Sequence, residues 1–227
     1  MAAPLAYDAL SDADLAARAG ARDAAAVRLI TTRNNQRLFR AAWSILKNRA
    51  EAEEVVQEAY LKAFTGKAPF SGRASLSTWL TQITINEALA RKRAAKARKR
   101  ALDLADVAQI EEYREKFMGA QAPQPEAALV RAELAKTLEA AIARLPEAFR
   151  TVLILRDVED MSVEEAAQAL GINPATIKTR HLRARRLLRK ELDPDLANAL
   201  GETFRFAGAD CECMTARAVA MLCGDHA

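Results

Sequence analysis

The segment 162–189 constrains the fold of this 227-residue chain more than any other stretch. Ser162 is a good helix N-cap residue, and Glu165 follows three positions later, as a capping box requires. Gly171 ends the apolar periodicity of this short helix, because glycine readily adopts the left-handed conformation of helix C-termini. Asn173 then supplies the N-cap of a second helix, and Pro174 suits the first position of that helix. The segment therefore predicts two consecutive helices joined by a tight turn.

The second of these helices is strongly basic. Residues 173–190 read NPATIKTRHLRARRLLRK and contain seven basic side chains. The apolar positions that remain form one stripe, made of Ile177, Ala184, Leu187 and Leu188. A short helix, a tight turn and a basic helix make up the helix-turn-helix motif, whose second helix enters the DNA major groove. A solvated amphipathic helix is the alternative, but the caps and the turn at this spacing favour DNA binding.

The polar and basic residues of this helix suit contacts with two different parts of DNA, the base edges and the phosphates. Short polar side chains and cations near its N-terminus suit base edges, and further cations suit phosphates. We predict base-edge contacts for Thr176, Lys178, Thr179 and Arg183, and phosphate contacts for Arg180, Arg185, Arg186 and Arg189. His181 should face inward or half-inward as a packed histidine with one hydrogen bond, with a pH-sensing role as the alternative. Leu182 then faces the groove, where it would touch a thymine methyl group.

Composition predicts an all-α protein. Aromatic residues make up only 5% of the chain, 51% of residues are hydrophobic, and there are only 8 glycines. Net charge is a modest +4, but the charges are segregated. Residues 91–100 hold seven basic and no acidic residues, whereas 51–58 hold four acidic and no basic residues. Segregated charge predicts separate surfaces for a polyanion and for a basic partner.

The apolar periodicity divides the chain into two helical domains joined by a flexible linker. Gly119, Pro123 and Pro125 interrupt the pattern and cannot lie comfortably inside one helix. We predict a first domain at 1–100, a linker at 101–128, a second domain at 129–193 and a short C-terminal extension at 194–227.

Several classes of protein are disfavoured. No stretch approaches the ~18 uninterrupted apolar residues of a membrane helix, and the N-terminus does not have the pattern of a secretion signal. We therefore expect a cytoplasmic protein without membrane insertion. With only two histidines and no Gly-rich phosphate loop, the sequence contains no recognisable catalytic constellation. We expect neither enzymatic activity nor a cofactor.

The C-terminal extension leaves three interpretations open. Its metal-ligand types are Cys211, Cys213, Cys223 and His226. A CxC pair is weaker evidence for a metal than paired CxxC motifs. Met214, Ala218, Met221 and Leu222 have the spacing of an amphipathic helix that packs on the second domain, which is the favoured interpretation. A partner-binding surface is the third.

Three segments carry a family resemblance. AEAEEVVQEAYLKAF (50–64), SGRASLSTWLTQITINEALARKR (71–93) and LPEAFRTVLILRDVEDMSVEEAAQALGINPATIKTR (145–180) resemble the bacterial RNA polymerase sigma factors of the extracytoplasmic-function (ECF) group. The resemblance covers nearly the whole of 35–190. A stand-alone helix-turn-helix regulator is the competing interpretation, but it would leave 50–93 without a role.

The resemblance implies a function for each domain. The first resembles sigma region 2, which docks on the clamp helices of the polymerase largest subunit and melts the downstream promoter element. The second resembles region 4, which reads the upstream element and lies on the polymerase flap. The implied partners are core RNA polymerase, promoter DNA and an anti-sigma factor that holds the protein when stress is absent.

The resemblance also implies two sets of site residues in the first domain. Core polymerase would be bound by Glu51, Glu53, Glu54, Gln57 and Glu58, although charge alone fits a solvated helix face equally well. The downstream element would be bound by Trp79, Asn86, Arg91, Lys92 and Arg93, which suit a single strand. Asn86 ends the pattern TWLxxIxxN, where the family's asparagine helps to read an extruded base. Trp79 fits the core better than a stacking platform.

Overall fold

The computed structural model describes residues 7–66, 70–103, 126–192 and 209–223. In these residues all regular secondary structure is helical, which confirms the all-α prediction. After a 3-10 turn at Tyr7–Ala9 come α1 (Asp12–Gly20), α2 (Ala24–Leu46), α3 (Arg49–Thr65), α4 (Leu76–Asp103), α5 (Glu126–Arg144), α6 (Glu147–Leu153), a π-helical turn (Ile154–Val158), α7 (Val163–Leu170), α8 (Pro174–Glu191) and α9 (Ala209–Cys223).

The predicted linker is shorter than expected at both ends. Helix α4 continues to Asp103, and α5 already begins at Glu126. Both flanks are rich in Ala, Arg, Lys and Glu, which are good helix formers, so the helices extend past the boundaries that the apolar pattern predicts. The middle of the linker, 104–125, lies outside the described residues.

Helix α2 is the centre of the first domain. Asp23 caps it, since the Asp23 carboxylate accepts hydrogen bonds from the backbone N–H groups of Ala25 and Ala26. Helices α1, α3 and α4 pack around it. The enclosed core contains Leu38, Phe39, Trp43, Val55, Val56, Tyr60, Leu80 and Ile85.

The C-terminal helix α9 belongs to this first domain. Its Met214, Thr215 and Ala218 are buried, and it packs against α2 and α3. The amide of Asn35 donates to the Thr215 hydroxyl at 2.8 Å, and the Tyr60 hydroxyl donates to the Asn35 carbonyl oxygen at 2.9 Å. The expectation that this helix packs on the second domain is therefore wrong. A buried amide on α2 needs hydrogen-bond partners, and α9 supplies one of them.

The second domain is built from α5 to α8. Its core contains Leu138, Ile142, Val152, Leu155, Ala166 and Ile177. At its centre the predicted capping box is present: the Ser162 hydroxyl accepts from the Glu165 N–H at 3.1 Å, and the Glu165 carboxylate accepts from the Ser162 N–H at 2.8 Å. Gly171 adopts φ 63°, in the left-handed region, and Asn173 caps α8. These contacts confirm the helix-turn-helix.

A buried arginine joins the two domains. Arg150 is 2% exposed; its Nε donates to the Ser44 carbonyl at 2.6 Å and its Nη1 donates to the Leu145 carbonyl at 2.7 Å. Burial lowers the pKa of Arg150 to about 10. The side chain therefore remains a cation at neutral pH, with backbone carbonyls as its partners. Beside it, the Ser44 and Thr151 hydroxyls are hydrogen-bonded at 3.0 Å.

An ion-pair cluster forms a second contact between the domains. Glu159, which follows the π-helical turn, accepts from Arg40 Nη1 at 2.7 Å, and Arg37 Nε lies 3.5 Å from its other carboxylate oxygen. The Arg40 and Glu159 side chains are only 5% and 8% exposed. A buried pair of this kind is retained only when its hydrogen bonds are satisfied.

We expect Arg150→Met to lower the free energy of unfolding by about 2 kcal/mol, because buried carbonyls lose their donor. Urea denaturation of the full chain measures the change. Arg28→Met, at an exposed position of α2, is the matched control and should change stability little. Equal stability of the Arg150 variant and wild type would contradict the role given to this contact.

The capping box makes a pH-dependent contribution to stability. Hydrogen bonds from the Ser162 backbone and hydroxyl hold the pKa of Glu165 below its usual value. A lowered folded-state pKa stabilises the protein above the ordinary glutamate pKa of about 4.3, and the contribution is lost as pH falls through the folded-state value. Glu165→Ala should therefore lower Tm at pH 7, by an amount equivalent to about 1 kcal/mol, and less at pH 3.5. A Tm difference independent of pH would refute this account.

Candidate nucleic-acid and polymerase interfaces

Helix α8 presents the predicted DNA-binding residues on one exposed stripe. Ile177, Ala184 and Leu188 are buried against the domain, so the opposite side of the helix faces outward. The exposed predicted residues are Lys178, Thr179, Leu182, Arg183, Arg185, Arg186 and Arg189. Thr176 and Arg180 are half-buried along one edge of the stripe. Most of the predicted set thus lies on a single surface.

Leu182 interrupts this basic surface with an apolar side chain. It is 71% exposed, so it is available for contact with a ligand. Its neighbour Thr179 donates its hydroxyl proton to the Ala175 carbonyl at 3.0 Å, so its oxygen is left as an acceptor. The centre of the stripe therefore combines an apolar group and a hydrogen-bond acceptor with the surrounding cations.

His181 lies at the other edge of α8 and faces inward. Its side chain is 19% exposed, and Nε2 lies 2.8 Å from Asp157 Oδ1. The geometry confirms the prediction of an inward histidine with one hydrogen bond. The partner could not be named from the sequence, because Asp157 lies in the π-helical turn 24 positions earlier.

A second surface runs along α4. Trp79, Asn86 and Arg93 are seven residues apart, which is about two helical turns, so they share one side of the helix over about 21 Å. Asn86 and Arg93 are exposed. Trp79 is half-buried and packs on the core and on Phe70, with ring centroids 5.4 Å apart. Of the five predicted residues, these three are brought together, and the seven-residue spacing is visible in the sequence.

The other two predicted residues point elsewhere. Arg91 donates to Glu54 at 2.6 Å and to Glu58 at 2.7 Å on α3. Burial disfavours its charge, but the Glu54 hydrogen bond and the nearby carboxylates together raise the pKa of Arg91. Lys92 pairs with Glu147 of α6. Sequence reasoning missed these partners because each lies in a distant segment.

The acidic face of α3 forms the third surface. Asn48 begins the helix by accepting from the Glu51 N–H at 2.9 Å. The Glu54 and Glu58 side chains are 64% and 46% exposed. Glu51 and Gln57 are half-buried, and Glu53 pairs with Arg49 at 3.0 Å. The predicted set thus lies along one helix, with Arg91 of α4 bound to its exposed part.

The described residues contain no group of three or more His, Cys, Asp or Glu side chains that could hold a metal ion. Cys213 is an exposed free thiol. His226 and the side chains of Cys211 and Cys223 lie outside the described residues, so the metal hypothesis is not tested. Across the described ranges, every helix is too short or too polar to span a membrane.

Comparison with known families and sequences agrees with this geometry. Residues 30–99 match Sigma-70 region 2 and residues 135–188 match Sigma-70, region 4. The ECF RNA polymerase sigma factor SigW of Bacillus subtilis is 35% identical over 159 residues, covering 69% of this chain and 83% of that protein. The RNA polymerase sigma-H factor of Pseudomonas aeruginosa is 33% identical over 192 residues, covering 83% and 97%.

Solved structures show the same fold. The sigma factor RpoE from Bartonella quintana, in complex with the anti-sigma factor NepR, superposes with a TM-score of 0.54 at 23% identity, covering 74% of this chain and 94% of that one. CnrH, in complex with the cytosolic domain of CnrY, gives a TM-score of 0.53 at 25% identity, with 81% and 98% covered. With both sigma regions matched in order and relatives covered over most of their length, the chain belongs to the ECF family of RNA polymerase sigma factors.

Proposed function

We propose that this sigma factor directs core RNA polymerase to promoters through three surfaces. The exposed stripe of α8 reads the upstream promoter element, the Asn86 face of α4 binds the melted downstream element, and the acidic face of α3 docks on the polymerase. The observation that carries the proposal is the α8 stripe, whose cations and Leu182 face outward from a helix-turn-helix with both helices capped at their N-termini.

The α8 stripe supports recognition of duplex DNA. Arg183 is exposed on it, and a guanidinium can bind the O6 and N7 atoms of a guanine edge. Arg185 and Arg186 lie further along and suit phosphates, which add affinity but little specificity. Leu182 suits contact with a thymine methyl group, which is also exposed in the major groove.

The α4 face supports binding of an unpaired strand. Asn86 offers an amide for the edge of an extruded base, and Arg93 offers a cation for the backbone two turns away. Extruding a base costs a few kcal/mol, which pocket contacts must offset. Trp79 contributes by packing that holds α4 against Phe70 and the core. The pairing of Arg91 and Lys92 with carboxylates makes them weaker candidates than Asn86 and Arg93.

The acidic face of α3 supports docking of a basic helix. Glu54 and Glu58 combine exposure with a rigid position, because α3 is capped at Asn48 and tied to α4 by Arg91. Complementary charge of this kind favours fast and selective association.

We further propose that an anti-sigma factor restrains the protein. We also propose that the sigma factor itself acts in the cytoplasm and has no catalytic activity of its own. Two similar structures are complexes, one of the sigma factor RpoE with the anti-sigma factor NepR and one of CnrH with the cytosolic domain of CnrY. The interdomain contacts of Arg150 and Glu159 hold the two DNA-binding domains together, a state that such a partner could stabilise.

The test is in vitro transcription with core polymerase and a genomic promoter library, with and without the protein. We expect new start sites that share a two-part upstream motif. A stand-alone regulator would instead give no new starts and would bind duplex DNA tightly without polymerase, and that result would overturn the proposal.

Arg183→Ala should weaken holoenzyme binding to the upstream element by about 1–3 kcal/mol and relax the base preference at one position, as expected for a base contact. Competition binding against single-base variants of the element measures both effects. Arg28→Ala, exposed on α2 of the first domain, is the control. Equal loss on every sequence would show that Arg183 contacts phosphate.

Glu54→Lys should weaken core polymerase binding at least tenfold, because it places a cation against a basic partner; a direct titration of labelled core measures the loss. The variant also breaks the Arg91 pair. Arg91→Ala separates the two effects, since it breaks the pair and leaves the acidic face intact. If Arg91→Ala weakens core binding as much as Glu54→Lys does, the acidic-face assignment is wrong.

A further inference from the structure

Asp157 contacts α8 on the side away from its exposed stripe. It lies in the π-helical turn between α6 and α7, and its side chain is 17% exposed. Its Oδ1 lies 2.8 Å from His181 Nε2, and its Oδ2 lies 3.8 Å from Arg185 Nε. One carboxylate therefore faces two residues of α8.

These two residues are four positions apart, so they lie one above the other on the same side of the helix. The apolar contacts of Ile177, Ala184 and Leu188 hold α8 on the domain, but such contacts are non-directional. A hydrogen bond has a preferred distance and angle. The Asp157 contacts therefore add a directional restraint on the rotation of α8 about its axis to that of the apolar packing.

The same carboxylate orients Arg185. The side chain is 49% exposed, and its Nε edge faces Asp157. A guanidinium has five N–H donors in a rigid fork, so the terminal nitrogens remain for a ligand beyond the helix. Asp157 Oδ2 is buried and accepts no hydrogen bond from any described residue. A small movement of Arg185 towards it would complete a hydrogen bond while the fork engages a phosphate.

We propose that Asp157 is a positioning residue for recognition of the upstream promoter element: through His181 it sets the rotation of α8, and through Arg185 it aims a guanidinium at the DNA backbone. The inference rests on the proposed function of α8 and adds residues that do not touch DNA.

Electrostatics alone predicts the opposite effect. The Asp157 carboxylate repels phosphates, so its removal should strengthen binding to every duplex. If the carboxylate positions the helix, its removal should weaken binding to the correct element and leave binding to unrelated DNA unchanged or stronger. The two explanations therefore differ in the sign of one measurement.

The experiment uses holoenzyme assembled with the full chain. Binding is measured to a duplex with the upstream element found by the transcription assay and to one with that element scrambled. The variants are Asp157→Leu and Asp157→Asn, with His181→Leu and His181→Gln as a second pair. The amide of Gln reaches about as far as His Nε2 and can still donate to Asp157, whereas Leu conserves bulk without a donor.

We expect Asp157→Leu and His181→Leu to reduce discrimination between the two duplexes about tenfold, which is the scale of one specific contact. His181→Gln should retain it. Asp157→Asn should lose less than Asp157→Leu, because an amide oxygen still accepts from His181 but no longer attracts Arg185. If Asp157→Leu does not fold, the His181 pair still decides the question with Asp157 intact.

Three results would each overturn the inference while the function of α8 stands. They are wild-type discrimination in Asp157→Leu, tighter binding of that variant to both duplexes, and equal behaviour of His181→Gln and His181→Leu. Failure of the wild-type holoenzyme to distinguish the two duplexes would overturn both proposals together.

Discussion

The relative placement of the two domains depends on the buried guanidinium of Arg150. A cation inside a protein is tolerated only where hydrogen-bond partners replace water. Arg150 finds them on both sides of the boundary, at the carbonyls of Ser44 and Leu145. Because the guanidinium is planar and rigid, it fixes the angle as well as the distance between α2 and the start of α6. The Glu159 cluster makes a second junction, and the pair of Lys92 with Glu147 makes a third.

The parts of the fold that were predictable depend on contacts within a few residues. The capping box, the left-handed Gly171 and the Asn173 cap are all local, so the helix-turn-helix and the outward side of α8 could be predicted from the sequence. Helix α1 and the first half of α2 were missed, although Ser11 and Asp23 cap them. Buried polar residues such as Asn34 and Asn35 break the apolar periodicity there, and a pattern of apolar residues cannot reveal a buried polar one.

The parts that escaped prediction are partners brought together by the tertiary fold. The sequence indicates that His181 faces inward, but not that Asp157 meets it, nor that Arg91 turns from the Asn86 face to Glu54 and Glu58. Helix α9 is the clearest case. Its apolar stripe shows that it must pack somewhere, but its partners on α2, including Asn35 at a separation of 180 positions, cannot be identified from that stripe.

The docking of α9 makes the first domain discontinuous in sequence. The second domain is an insertion, joined to the first through 104–125 on one side and 193–208 on the other. During synthesis, α1 to α4 emerge first, yet their core lacks its last helix until residues 209–223 have left the ribosome. By then the second domain has already been made. The core of the first domain is thus complete only after residues 209–223 have been translated.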